Sequence, residues 1–333
     1  MKEAQDILSS ISQRNLAPVY LLMGEEPFFI DQITDRLIEQ VVEESAKDFD
    51  LTILYGKETH PDQILEAAKR FPMLGEQQLI VVKEAQYLEK NIDLLTPYLA
   101  QPQRQTVLVL CFKHKKLDKR KKAYKAIAKT GVVLASKPLY ENQVGPWIEA
   151  QGKAMGLGFH PRSLAQLVTF LGSDLGKIKQ ELIKLSHNLS AGEEVTPDHI
   201  EQYIGFSKEF NSFELQNALG QRNLAQAYRI VHYMAANAKQ HPFQLTLAVI
   251  FNFYQKLFIY HGLKSPAEAP RALGVSPYFI KDYTAADQKY SMKQTAKVLG
   301  VLKTFDLKSK GLGADKLPLE ELLKEMILTI ISV

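Results

Sequence analysis

Val19-Tyr20-Leu21-Leu22-Met23-Gly24-Glu25-Glu26-Pro27 decides the fold. Its first five residues are a short apolar run that reads as a buried strand, and the pattern Phe28 to Gln40 behind Pro27 reads as a helix. Strand, glycine turn and helix in that order build the frame of a P-loop. A working P-loop also needs a second Gly and then Lys and Ser or Thr, so that backbone amides and an ammonium neutralise the phosphates. Phe29, Ile30 and Asp31 stand in those places instead. With no Lys to offset them, Glu25, Glu26 and Asp31 put negative charge where a triphosphate would sit, and like charge repels. The scaffold of an NTPase is retained here and its chemistry is lost.

Reading outward, strand-like runs at Leu51 to Tyr55, Leu79 to Val82, Val107 to Phe112 and Val132 to Leu134 alternate with helical segments. That alternation predicts an α/β domain with a mainly parallel sheet. Pro61 to Arg70 reads as a helix capped by His60 or Thr59, with Ile64, Leu65 and Ala68 on one face. Lys119 to Lys129 reads as another, with Ala123 and Ile127 inward and its lysines outward. Two further NTPase positions fail with the first. The strand in the Walker-B place ends in Lys83-Glu84, where a metal-holding acid belongs. The next strand opens into Lys113-His114 and not into a small polar sensor.

After Pro138 the pattern turns helical. Asn142 to Met155 carries the single Trp147 as a core anchor, and Pro161 to Leu171 ends at Gly172. Ser173 or Asp174 caps a helix with the stripe Leu175, Ile178, Leu182 and Leu185, and Thr196-Pro197 starts a short helix that Gly205 closes. Further helices are predicted at Ser212 to Leu219, Leu224 to Asn237, Pro242 to Leu263, Pro277 to Ala286, Ser291 to Asp306 and Pro318 to Ile331, with a loop from Lys308 to Pro318. The segment from Pro242 is apolar over so wide an arc that it is central in its bundle, leaving at most an edge for a partner.

A chain of 333 residues calls for two or three domains, and 46% hydrophobic residues fills them. The lone Cys111 excludes an intrachain disulfide framework and reads as a small core residue on a strand. Met1 to Asn15 is a polar helical pattern without the basic start and apolar centre of a signal peptide, and no apolar stretch is long enough to cross a bilayer. A soluble cytoplasmic protein is expected. Eight scattered His residues offer no pair at metal-ligand spacing, and no Gly-x-Ser-x-Gly occurs. No catalytic residue, metal or cofactor is therefore assigned.

Two surface features remain. Phe71-Pro72-Met73-Leu74-Gly75 sets three large apolar side chains around a Pro and before a Gly. It reads either as a turn packed on its own sheet or as an exposed apolar wedge. Between Lys113 and Lys125 there are eight Lys or Arg against one acid, Asp118, a net of +7 in a chain whose total is +4. This is either a solvated helix face or a local contact for phosphates or an acidic neighbour, and with only Tyr124 among the lysines it is unsuited to base stacking. An active NTPase or kinase is the first alternative for the whole chain. A stand-alone DNA-binding protein acting through Lys113–Lys125 is the second, unsupported by helix-turn-helix or zinc spacing.

In order and spacing, five segments resemble the delta-subunit family of the bacterial DNA polymerase III clamp loader. They are Pro18 to Pro27; Arg70-Phe71-Pro72-Met73-Leu74-Gly75-Glu76 with its following strand; Leu117-Asp118-Lys119-Arg120-Lys121-Lys122; Leu171-Gly172-Ser173-Asp174-Leu175 with Glu181-Leu182 and Lys184-Leu185; and Asn211-Ser212-Phe213-Glu214-Leu215. Beyond about Leu263 the likeness is general helical character. The resemblance implies an AAA+-like clamp-gripping domain at 1–140 without ATPase activity, a small helical lid at 141–210 and a helical collar for oligomerisation at 211–333. It implies a subunit that binds and opens the sliding clamp (beta) in DNA replication while other subunits (gamma/tau, delta prime) handle ATP and primer-template DNA threads the assembled loader. The family's hydrophobic wedge falls at Met73 and Leu74, beside Phe71; where some relatives carry a bulky aromatic, this chain has Leu74. Lys113, Lys115, Lys116, Lys119, Arg120, Lys121 and Lys122 are the residues the basic run offers to DNA or to a neighbouring subunit.

Overall fold

The computed structural model describes residues 2–205, 207, 209–312 and 317–333. Gly313, in the loop expected before the last helix, lies outside them. The chain gathers into two compact units, Met1–Pro138 and Leu139–Val333.

The first unit runs α1 (Lys2–Ser12), β1 (Val19–Gly24), α2 (Pro27–Val41), α3 (Lys47–Asp50), β2 (Leu51–Tyr55), α4 (Pro61–Lys69), β3 (Gln78–Lys83), α5 (Thr96–Ala100), β4 (Thr106–Lys113), α6 (Lys122–Thr130) and β5 (Val132–Ser136). The five strands form one parallel sheet in the order β2-β3-β4-β1-β5. Every residue of β1 is buried, so its apolar run has no polar alternation. Alternate residues serve opposite faces. Leu21 and Met23 join Ile80, Val82, Leu108, Leu110 and Phe112 in a core closed by Ile64 and Ala68 of α4 and Ala123 and Ile127 of α6. Helices α1 and α2 pack together, and α2 covers the sheet's other face, where Thr34 Oγ1 lies 3.4 Å from Cys111 Sγ. The edge strand β2 is covered less completely, leaving Ile53 and Tyr55 exposed.

Helix α6 begins three residues later than the lysine pattern suggests. Asp118 accepts from the backbone N–H of Arg120 at 2.9 Å and pairs with its guanidinium at 2.7 Å, so residues 118–120 form a side-chain-closed turn that competes with helix.

The second unit is helical but for one detail the sequence pattern hides. Between α7 (Glu141–Ala154) and α8 (Pro161–Leu171) lies β6 (Gly158–Phe159), and after α9 (Leu175–Asn188) comes β7 (Glu194–Val195), parallel to β6. Phe159 lies so close over α7 that a Cβ at Gly152 would meet its ring at 2.1 Å. Trp147 and Ile148 of α7 are buried. Gly172 ends α8, Asp174 caps α9 by accepting from Lys177 N, and α10 (Pro197–His199) runs into a π turn closed by Gly205. The rest is a bundle of α11 (Ser212–Gly220), α12 (Leu224–Ala236), α13 (Phe243–Tyr260), α14 (Ala269–Leu273), α15 (Ile280–Asp287), α16 (Met292–Ser309) and α17 (Leu319–Ile331). Helix α13 packs against α11, α14, α15, α16 and α17, which accounts for its broad apolar arc; Phe251 and Ile259 stay exposed at its edge. Among the described residues no helix is long and apolar enough to cross a membrane.

Candidate functional site

The glycine cradle is the first place to look for chemistry, and it is filled by the chain's own groups. Gly24 has φ +138, and a Cβ there would fall 2.0 Å from the Ser136 carbonyl oxygen, so only glycine lets β1 turn against β5. The N-terminus of α2, which would attract a phosphate, is occupied by Glu26: its carboxylate accepts from Phe28 N at 3.0 Å and the residue is buried. Ser136 Oγ donates to the Glu26 carbonyl at 2.6 Å, tying the turn to β5. Lys116 Nζ lies 2.7 Å from Glu25 Oε1, and Lys113 Nζ lies 2.7 Å from Asp31 Oδ1. Hydrogen bonding from Lys116, together with its charge, holds the Glu25 carboxyl below the usual range. Of the three acids that would repel a triphosphate, Glu25 and Asp31 are thus paired with lysines of the basic run and Glu26 caps α2. At the Walker-B position Glu84 is in left-handed backbone (φ 52), and at the sensor position so is His114 (φ 58).

The basic run divides accordingly. Lys113 and Lys116 serve the cradle, Lys115 pairs with Glu89 at 2.5 Å, and Lys121 lies 3.8 Å from Asp93. Arg120 faces Asp118, and its hydrogen bonds bring that carboxyl down to about 2. Lys119, Lys122 and Lys125 are exposed and have no ion-pair partner among the described residues. Among the described residues, the cations of the run left without an ion pair lie in the turn before α6 (Lys119) and on α6 itself (Lys122 and Lys125).

The loop between α4 and β3 is the other site. Phe71, Met73 and Leu74 are 70%, 71% and 64% exposed, the most exposed apolar cluster in the first unit. The reading of a turn packed on its own sheet does not describe them. Both ends of the loop are anchored. Gln78 Nε2 donates to the carbonyls of Arg70 at 2.5 Å and Ala67 at 3.3 Å and contacts Thr106 Oγ1 at 2.8 Å, while Gln103 Nε2 donates to Arg70 O at 3.2 Å and Thr106 Oγ1 to Ala68 O at 3.1 Å. These side chains satisfy the carbonyls left open at the end of α4. In the middle, the Asp50 carboxylate accepts from three successive amides: Met73 N at 2.5 Å, Leu74 N at 2.9 Å and Gly75 N at 2.6 Å. Asp50 ends α3 and is 2% exposed. Burial works to raise its pKa, but the three amides outweigh it and hold the carboxyl below its ordinary value. Sequence reading missed Asp50, because an Asp 23 residues from its partner carries no local signal. With their amides turned inward to the carboxylate, the apolar side chains of Met73 and Leu74 are left in water.

A five-stranded parallel sheet flanked by helices, with the glycine cradle of an NTPase frame filled by the chain's own groups and an anchored apolar loop on its surface, is an AAA+-like domain. Comparison with known proteins resolves the class further. Residues 20–137 match the family model described as DNA polymerase III, delta subunit, and residues 209–327 match that of the DNA polymerase III delta subunit, C-terminal domain. The DNA polymerase III subunit delta of Bacillus subtilis (strain 168) is 28% identical over 331 residues, covering 95% of this chain and 94% of the relative. A probable DNA polymerase III subunit delta of Aquifex aeolicus (strain VF5) is 21% identical over 294 residues, covering 83% and 82%. Among solved structures, the Bacillus subtilis DNA clamp loader delta protein superposes with a TM-score of 0.56 at 25% identity, covering 99% of this chain and 100% of the other. The chain belongs to the delta-subunit family of DNA polymerase III: it is a component of the clamp loader complex in DNA replication, without catalysis of its own.

Proposed function

We propose that this subunit grips the ring-shaped sliding clamp through Met73 and Leu74, flanked by Phe71, and biases one ring interface toward opening. The observation that carries this is the exposure of three large apolar side chains on a loop anchored at both ends and at its centre. Flexible loops pay ordering entropy on binding; an anchored one has paid most of it on folding. Apolar anchors of this kind dominate interfaces when they enter a pocket. Gripping does not open a ring, since only differential affinity for the open form shifts the equilibrium. The rigid first unit supplies that bias by presenting the wedge in one geometry.

In this reading residues 1–140 grip the clamp, 141–210 form a lid, and 211–333 form a collar that assembles with the gamma/tau and delta prime subunits. Primer-template DNA meets Lys119 and Lys122, a placement favoured by their lack of ion-pair partners among the described residues. The complex works in the cytoplasm. The decisive test is Leu74→Asp, which places a charge in the buried centre of the contact. Clamp binding should be lost with the thermal unfolding curve unchanged; wild-type affinity would refute the assignment.

A further inference from the structure

We infer that Asp50 is the positioning residue of the wedge: its carboxylate, without touching the clamp, holds the backbone of Met73, Leu74 and Gly75 in the conformation that presents Met73 and Leu74 for binding. The inference rests on the wedge reading and adds to it a second residue, remote in sequence, on which the grip depends.

Three successive N–H groups, those of Met73, Leu74 and Gly75, converge on one carboxylate. The two Asp50 oxygens divide the work, Oδ1 taking Met73 N and Oδ2 taking both Leu74 N and Gly75 N. Among the described residues no cation forms an ion pair with Asp50, so the amides alone balance its charge. Such anion-amide contacts are roughly twice as strong as neutral hydrogen bonds. The site is also closely fitted: a Cβ at Gly75 would stand 3.3 Å from Asp50 Oδ2. Since Asp50 leads directly into β2, the carboxylate couples the loop to the sheet edge. Remove the acceptor, and three backbone residues regain freedom that clamp binding must take away again.

Asp50→Asn provides the test, because it keeps the shape and replaces one acceptor oxygen with an NH2 group that faces an amide donor. In the full chain, affinity for the purified sliding clamp of the same organism should fall about 10- to 100-fold, each tenfold step being 1.4 kcal/mol. Amide hydrogen exchange read by mass spectrometry should rise by about tenfold or more in the peptide spanning 71–77, and stay unchanged in β3 and β4. Asp50→Ala should behave in the same way. The inference fails if Asp50→Asn binds the clamp as the wild type does while Leu74→Asp does not. It also fails if exchange rises across the whole sheet, which would make Asp50 an ordinary structural residue. If Leu74→Asp keeps full affinity the wedge reading itself is lost, and local exchange at 71–77 then still decides whether Asp50 orders the loop.

Discussion

Replacing Met73 and Leu74 together by alanine separates grip from stability. Complete burial of a Met or Leu side chain yields about 1.5–3 kcal/mol. These two are 71% and 64% exposed in the free subunit, so roughly two thirds of that gain is still available to a partner, about 1–2 kcal/mol each. For the pair, about 2–4 kcal/mol corresponds to a loss of clamp affinity of about 30- to 1,000-fold. Stability should barely respond, because side chains already in water contribute within about 0.5 kcal/mol. A core truncation such as Leu108→Ala, at 0% exposure, should instead cost about 2–5 kcal/mol. Isothermal titration against purified clamp measures the first quantity and urea unfolding the second. A double mutant that keeps wild-type affinity, or one whose unfolding free energy drops by as much as its binding energy, would show that the exposed loop is not an anchor.

Two further outcomes follow from the first unit. Burial pushes the Cys111 thiol up to about 11, so it should resist alkylation at pH 8 in native protein and react once unfolded. Its raised value stabilises the fold fully below the unfolded thiol's pKa, near 8.5. That contribution is lost as pH climbs toward 11, and Cys111→Ser should flatten this part of the stability profile. For the basic run, Lys119→Glu with Lys122→Glu should reduce the salt dependence of DNA binding by the assembled loader by up to about two counterions. Charge reversal at Lys113 or Lys116 should act on the fold around Gly24 instead, and an unchanged salt slope in the first variant would remove DNA from this surface.

Much of this architecture was legible because its signals are local. Apolar runs of three to six residues mark every strand of the first sheet, and Thr196-Pro197, Gly172 and Gly205 punctuate the helices where expected. The short pair β6 and β7 escaped because two residues cannot establish a period. Helix α6 was begun too early because Asp118 closes a turn on Arg120. At the sites, composition indicated which residues carry charge or apolar surface, but not what they meet. Glu25 and Lys116 lie 91 positions apart and Asp31 and Lys113 lie 82 apart, and only the adjacency of β1 and β4 joins them. The same holds for Asp50 and the wedge.

The energies also limit what the wedge can do alone. Moving a ring interface from 1:99 to 99:1 in favour of the open state requires about 5.5 kcal/mol of differential binding. Under the proposed function Met73 and Leu74 together would provide about 2–4 kcal/mol of total binding by their exposed area, and only the share that differs between closed and open rings counts. The grip therefore falls short of a full switch unless the first unit makes further contacts that the closed ring cannot satisfy. Under the proposed function nucleotide adds no second state within this chain, a reading supported by Glu26 capping α2 and by Lys116 and Lys113 pairing with Glu25 and Asp31. Under the proposed function, clamp binding by the isolated subunit should be indifferent to ATP. Any ATP dependence in the complex must enter as coupling with neighbouring subunits, typically 1–3 kcal/mol per linked event. Titrating clamp into the subunit alone with and without ATP-Mg²⁺ tests this step, and a difference beyond threefold would mean the cradle at Gly24 is not closed.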